Sequence, residues 1–271
     1  MEYHLIVSSV LHAILITSDL LNITFRIPPI ISLFQEYDVD LPDDDELWHA
    51  STELDWILSV HARNKGPLPS VQSAVSQLLY GVCPEKGAVP NQWSQCAMPV
   101  VMHAVSIHTW NLMQSAQIMT EVGFSLQNFQ DPLVSHIETA LSRCCRLISN
   151  ARGVNEPTWN DAEGPLLFNS LSLLWGIYAQ VLTGVGGLDH MILLSDVEED
   201  MIAAVNHYVT QNSNWHPTST KSARILFDSI MTILKSDAFL LRKTAAFNWS
   251  IEHALVGIDC GESACHYYLP T

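Results

Sequence analysis

Basic residues are scarce. The 271 residues hold 12 Lys and Arg against 28 Asp and Glu, a formal net charge of −16 with His neutral. Phosphate contacts need Lys and Arg, so this balance argues against direct nucleic-acid binding. Charged residues of both signs reach only 15%, while hydrophobic residues reach 48%. Such a chain is neither disordered nor collagen-like. It buries a large core, or it carries apolar surface that a partner covers. Membrane-spanning length is missing too. The apolar run from Leu5 to Ile16 has about 12 residues, too short for a bilayer at ~1.5 Å per residue. It is a poor signal peptide, because the leading Met1-Glu2-Tyr3-His4 carries an acid and no Lys or Arg. The apolar pattern continues through Leu20, Leu21, Ile23 and Phe25, which predicts a buried core helix.

Hairpin signals are absent. No Asn-Gly or Asp-Gly turn separates alternating runs, and helical periodicity dominates. The expected fold is all-α, a single irregular domain of about nine to ten helices over residues 1–271. The first helix spans about Tyr3 to Thr24 and stops before Pro28-Pro29. Asp43, Asp44, Asp45 and Glu46 open a second, to about Arg63, where acids suit the positive end of the helix dipole. Trp48 and Trp56, eight residues apart, then share one face and anchor it in the core. Ser70 caps a third helix, to about Tyr80. A long helix follows from about Asn91 to Glu121, with Pro99 kinking it or splitting off a turn. Asp131-Pro132 starts another, ending near Asn150, and Pro165 opens an apolar one that Gly184, Gly186 and Gly187 break. Leu188 to Leu194 is a short helix. Ser195 and Glu198 form a capping box for the next. Pro217 opens a helix to about Ser236, and the last spans about Asp237 to Tyr268. No repeat and no low-complexity tract appears.

The chemistry-bearing residues form no familiar set. Cys83, Cys96, Cys144, Cys145, Cys260 and Cys265 are scattered, and read as free thiols in a reducing compartment. Cys260 and Cys265 would lie about 140° apart on one helix, at ~100° per residue, too far round to share a metal. His103 and His108 have the same five-residue spacing, and no His-Glu-x-x-His occurs. No metal and no cofactor is expected. Gly184-Val185-Gly186-Gly187 lacks the strand before it and the Lys after it that a phosphate loop needs. Gly261-Glu262-Ser263-Ala264 is not a nucleophile elbow. Asp43 to Glu46 could be taken for the Mg²⁺ cluster of a terpene cyclase, but its only partner motif, Asn160-Asp161-Ala162-Glu163, reads as loop. The sequons at Asn22 and Asn248 fall inside apolar helical patterns and read as chance.

Four segments, in order, resemble one family. They are Ser18-Asp19-Leu20-Leu21 through Arg26-Ile27-Pro28-Pro29-Ile30; Asp40-Leu41-Pro42-Asp43-Asp44-Asp45-Glu46-Leu47-Trp48-His49-Ala50 with Trp56 after it; Gly164-Pro165-Leu166-Leu167-Phe168-Asn169-Ser170-Leu171-Ser172-Leu173-Leu174 with Tyr178; and Phe247-Asn248-Trp249-Ser250-Ile251-Glu252-His253-Ala254-Leu255. Their spacing is similar to that of the fungal-specific transcription factor domain, the middle homology region, as found behind two-cysteine, two-histidine zinc fingers. The resemblance covers about residues 2 to 269. It implies an all-α regulatory domain of a nuclear transcription regulator, governing a metabolic or secondary-metabolite gene set. The DNA-binding module of such proteins is not in this sequence, and the domain's upstream helices are expected to be missing as well. The partners implied are the transcription machinery or a DNA-binding protein, with a small-molecule effector as a further option. Neither membrane nor direct nucleic-acid contact is expected. The apolar first helix leaves a homodimer open.

Read from the residues alone, those segments are structural. Trp249, His253 and Val256 follow helical spacing and form a buried face. Helical bundles also build pockets between facing helices, so Trp249, Glu252 and His253 are the candidate pocket residues. The rival function is a biosynthetic enzyme, a cyclase or isomerase with an apolar interior and one or two acid/base groups.

Overall fold

The computed structural model describes residues 2–25, 27–30, 38–43, 50–62, 68–81, 93–94, 96–122, 126–151, 164–183, 199–200, 202–203 and 206–207. Six helices occur among them: α1 (Glu2–Phe25), α2 (Glu53–Ala62), α3 (Val71–Tyr80), α4 (Ala97–Glu121), α5 (Leu126–Ala151) and α6 (Gly164–Thr183). The described part is helical with no strand, which agrees with an all-α class. The helices expected after Gly187 lie outside the described residues, apart from fragments near 199–207.

The core is built around α4. From Val100 to Thr109 every residue is buried. Ten residues make nearly three turns, so no face of that stretch meets water. α4 packs against α1, α3, α5 and α6, and α5 also packs against α3 and α6. Met98, Met102 and Ile107 are almost fully buried, each worth about 1.5–3 kcal/mol relative to exposure. α5 is amphipathic: Ile137, Leu141, Cys144 and Ile148 face the core, while Ser135, Thr139, Ser142 and Arg146 face solvent.

Side chains set the helix ends. Ser70 caps α3, its hydroxyl oxygen accepting from the Ser73 N–H. At the other end Gly81 takes φ +67°, a left-handed C-cap, and its N–H donates to Gln77 O. The α3 carbonyls of Leu78 and Leu79 accept from Arg143 of α5, both at 2.8 Å. Ser94 opens α4: its hydroxyl oxygen accepts from the Ala97 N–H and its O–H donates to Pro42 O.

Four expectations differ, the first being the long helix, which starts at Ala97 rather than near Asn91, with residues 93–94 outside it. The expected helix from Asp43 to Arg63 is not continuous: residues 44–49 lie outside the described residues, residues 50–52 are not helical, and α2 starts at Glu53. Thr52 is its cap: its hydroxyl oxygen accepts from the Asp55 N–H, and its O–H donates to the Asp55 carboxylate. Upstream, Asp40 pairs with Ser70 in an isolated antiparallel bridge, with Leu41 N–H to Pro69 O and Val71 N–H to Val39 O. The chain beside the acidic run is therefore extended. Residues 50–52 are not helical, so Trp48 and Trp56 do not share one uninterrupted helix. Pro99 neither kinks nor splits α4. It is the third residue, inside the first turn, where its missing N–H has no helical acceptor to lose. Pro132 does not begin α5 but lies seven residues in. Its fixed φ of about −65° suits a helix, and the loss is the one hydrogen bond it cannot donate.

Candidate functional site

The most constrained polar cluster joins α1 to α4. Asp19 is the one acid on α1 after Glu2, and its side chain is turned inward with no solvent exposure. On α4, His103 meets it: Nδ1 of His103 lies 2.8 Å from Oδ2 of Asp19. With the carboxylate ionised, Nδ1–H donates to it, which fixes the ring's orientation. A charge or strong dipole buried this deeply is tolerated only because its partner is equally buried.

The same turn of α1 secures the proline turn that follows. Ser18 Oγ accepts the Ile30 N–H at 2.8 Å, and Asn22 Nδ2 donates to Ile27 O at 2.8 Å. Ser18, Asp19 and Asn22 are thus a set. One anchors the helix to α4, and the other two hold the chain on either side of Pro28-Pro29. The amide of Asn22 is buried in this role, which agrees with reading its sequon as chance.

More polar residues continue along the interior. Ser106 and Thr109 on α4 are buried, with hydroxyls that meet no hydrogen-bond partner among the described residues. Ser170, Ser172 and Gln180 are buried on α6. His108 is also buried on α4, and burial together with the nearby His136 ring pushes its pKa down to about 4. His136 in turn lies against Tyr80, ring centroids 5.5 Å apart. His12 on α1 is lowered by burial, partly offset by a hydrogen bond to the backbone of Asp40. His103 and His108 therefore serve different neighbours, Asp19 and the His136 region.

Burial pushes the Cys144 thiol up to about 12 and the Tyr178 hydroxyl likewise up to about 12. Neither is an activated nucleophile, since a reactive thiol needs a lowered pKa. Cys96, Cys144 and Cys145 form no disulfide among the described residues. Among the described residues no three His, Cys, Asp or Glu side chains gather as a metal site would, and no helix is long and apolar enough to cross a membrane.

The candidate pocket residues Trp249, Glu252 and His253 lie outside the described residues, as do Cys260 and Cys265. Sequence reasoning does not single out the Asp19–His103 pair, although Asp19 falls in the first of the four segments. Its signal is a lone acid in an otherwise apolar helix. His103 gives none beyond being a histidine on a buried stretch. Comparisons with protein-family models, with curated proteins and with solved structures each found no match to this chain.

Proposed function

We propose that the chain is the regulatory domain of a nuclear transcription regulator, acting through protein contacts or a small-molecule effector. The observation that carries the proposal is the ordered run of four segments similar to the fungal-specific transcription factor domain. The use of the first segment supports it: Ser18, Asp19 and Asn22 are spent on holding α1, α4 and the proline turn together. The net charge of −16 supports a task in which another polypeptide makes any DNA contact. The test compares transcripts in a strain deleted for the gene and in one re-expressing this polypeptide. A defined gene set that falls and recovers supports the proposal. Normal transcript levels throughout the genome overturn it.

One feature favours the second reading, a biosynthetic enzyme. A carboxylate on one ring nitrogen is how many enzymes orient a general base, and Asp19–His103 has that arrangement. Its complete burial means that substrate would reach it only through an opened interior. Under this reading His103→Gln abolishes product formation by purified protein while transcripts stay normal. If no product forms with the wild-type chain, the enzyme reading fails.

A further inference from the structure

The helix α2 stands apart from the core. It has 10 residues, shorter than the ~12–15 at which isolated helices become marginally stable in water. Yet among the described residues no other helix packs extensively on it. Its apolar residues recur at i, i+3 and i+4: Leu54 is 64% exposed, Ile57 37% and Leu58 58%. That spacing places them on one face, the pattern by which an amphipathic helix meets a partner. His61, one turn beyond, is exposed as well.

The formal charge on α2 itself has one sign. Glu53 and Asp55 flank Leu54 and are exposed, and no Lys or Arg occurs between Arg26 and Arg63. The nine acids between Glu36 and Asp55 belong to that stretch: Glu36, Asp38, Asp40, Asp43, Asp44, Asp45, Glu46, Glu53 and Asp55. A second copy of the chain would bring acid against acid, which electrostatic complementarity penalises. By contrast, the exposed Val10 and Ile14 on α1 have no flanking acid to specify an occupant.

We infer that the Leu54–Ile57–Leu58 face of α2 is a docking surface for a basic amphipathic helix of a protein partner. The apolar stripe supplies the buried centre of the contact, and the acids around Leu54 meet Lys and Arg at its rim. The inference deepens the regulatory reading by naming the surface and the chemistry of the partner, and it rests on that reading for the partner's being regulatory.

The test uses the full chain and two labelled synthetic helical peptides with the same Leu stripe. One carries Lys on both flanks and the other carries Glu. Fluorescence anisotropy reads binding, and thermal melts check the fold. The Lys peptide binds, the Glu peptide does not, and raising salt weakens the complex. Leu54→Ser with Leu58→Ser weakens it about tenfold or more without moving the melt. Binding that survives the double substitution, or equal binding of both peptides, overturns the inference. So does a melt lowered by the double substitution, or α2 amides as protected from exchange as those of α4, because the chain itself then covers the face. A dimer that dissociates on the double substitution overturns it in favour of a second copy. Gene-set control that persists in the double variant sinks this inference and leaves the regulatory reading standing.

Discussion

The helices α4 and α2 use the same kinds of residue to opposite ends. α4 buries every residue from Val100 to Thr109, polar ones included. α2 leaves Leu54 and Leu58 more than half exposed. In α4 a histidine is buried because a carboxylate from α1 meets it. In α2 a leucine is exposed beside acids that face water. Hydrophobicity alone does not separate the two. What separates them is how many neighbouring elements reach each helix: four around α4, and no extensive one around α2 among the described residues. Stability is concentrated at the first, and apolar surface left for a partner at the second.

The sharpest way to break this comparison is to orphan one member of the buried pair. Asp19→Leu takes the carboxylate away from His103 and should destabilise the chain by about 3–5 kcal/mol in urea unfolding. The double variant Asp19→Leu with His103→Leu should be more stable than either single one, since neither polar partner is then left unmatched. If the single and double variants unfold alike, the pair does not tie α1 to α4.

Acid should act on α4 through His108. Its pKa in the folded chain, about 4, lies below the ordinary value of 6.5. Between these values the unfolded chain binds more protons, so stability is complete above about pH 6.5 and falls as pH drops toward 4. The loss attributable to this group should be about 2 kcal/mol by pH 5. It is read as the difference between wild type and His108→Gln in urea unfolding at pH 7.5 and 5. An equal loss in both proteins would assign the acid sensitivity elsewhere.

A smaller effect is expected where α3 meets α5. An added Cβ at Gly81 would sit 2.7 Å from Nη2 of Arg143. Gly81→Ala also forces a side chain into left-handed backbone. The guanidinium must shift from the Leu78 and Leu79 carbonyls, and about 1–2 kcal/mol should be lost on thermal melting. In an Arg143→Met background, Gly81→Ala should cost less, because the crowding is gone and only the backbone strain remains. The smallest effect belongs to α2. Leu54→Ser should change stability by less than about 0.5 kcal/mol, as at other exposed positions. A loss several times larger would mean that α2 belongs to the core after all.

The sequence reveals helices better than their neighbours. Ser70 and the end of α3 near Tyr80 are legible because caps are local chemistry. The start of α2 is not, because the acids from Asp43 to Glu46 draw the reading upstream, while the cap of α2 is the Thr52–Asp55 exchange of hydrogen bonds. Prolines suggest boundaries, yet Pro99 and Pro132 sit within helices, since fixed φ marks compatibility rather than position. Asp19 and His103 are 84 residues apart, and no local pattern couples them. Composition leaves a large core and exposed apolar surface equally open, and does not say that it is α2 rather than α4 that exposes leucines. The candidate pocket at Trp249, Glu252 and His253 rests on helical spacing alone.

The separation of 84 residues also sets a schedule on the ribosome. At ~5–20 residues per second, α1 leaves the exit about 4–17 s before the helix that contains its histidine. During that interval a helix with no charge between Glu2 and Asp19 has nothing to lie on. The native fold hides Leu15 and Ile23 completely or nearly so, but the nascent chain exposes them first. The slower those 84 codons are read, the longer α1 waits without α4, and the yield of folded protein should fall accordingly.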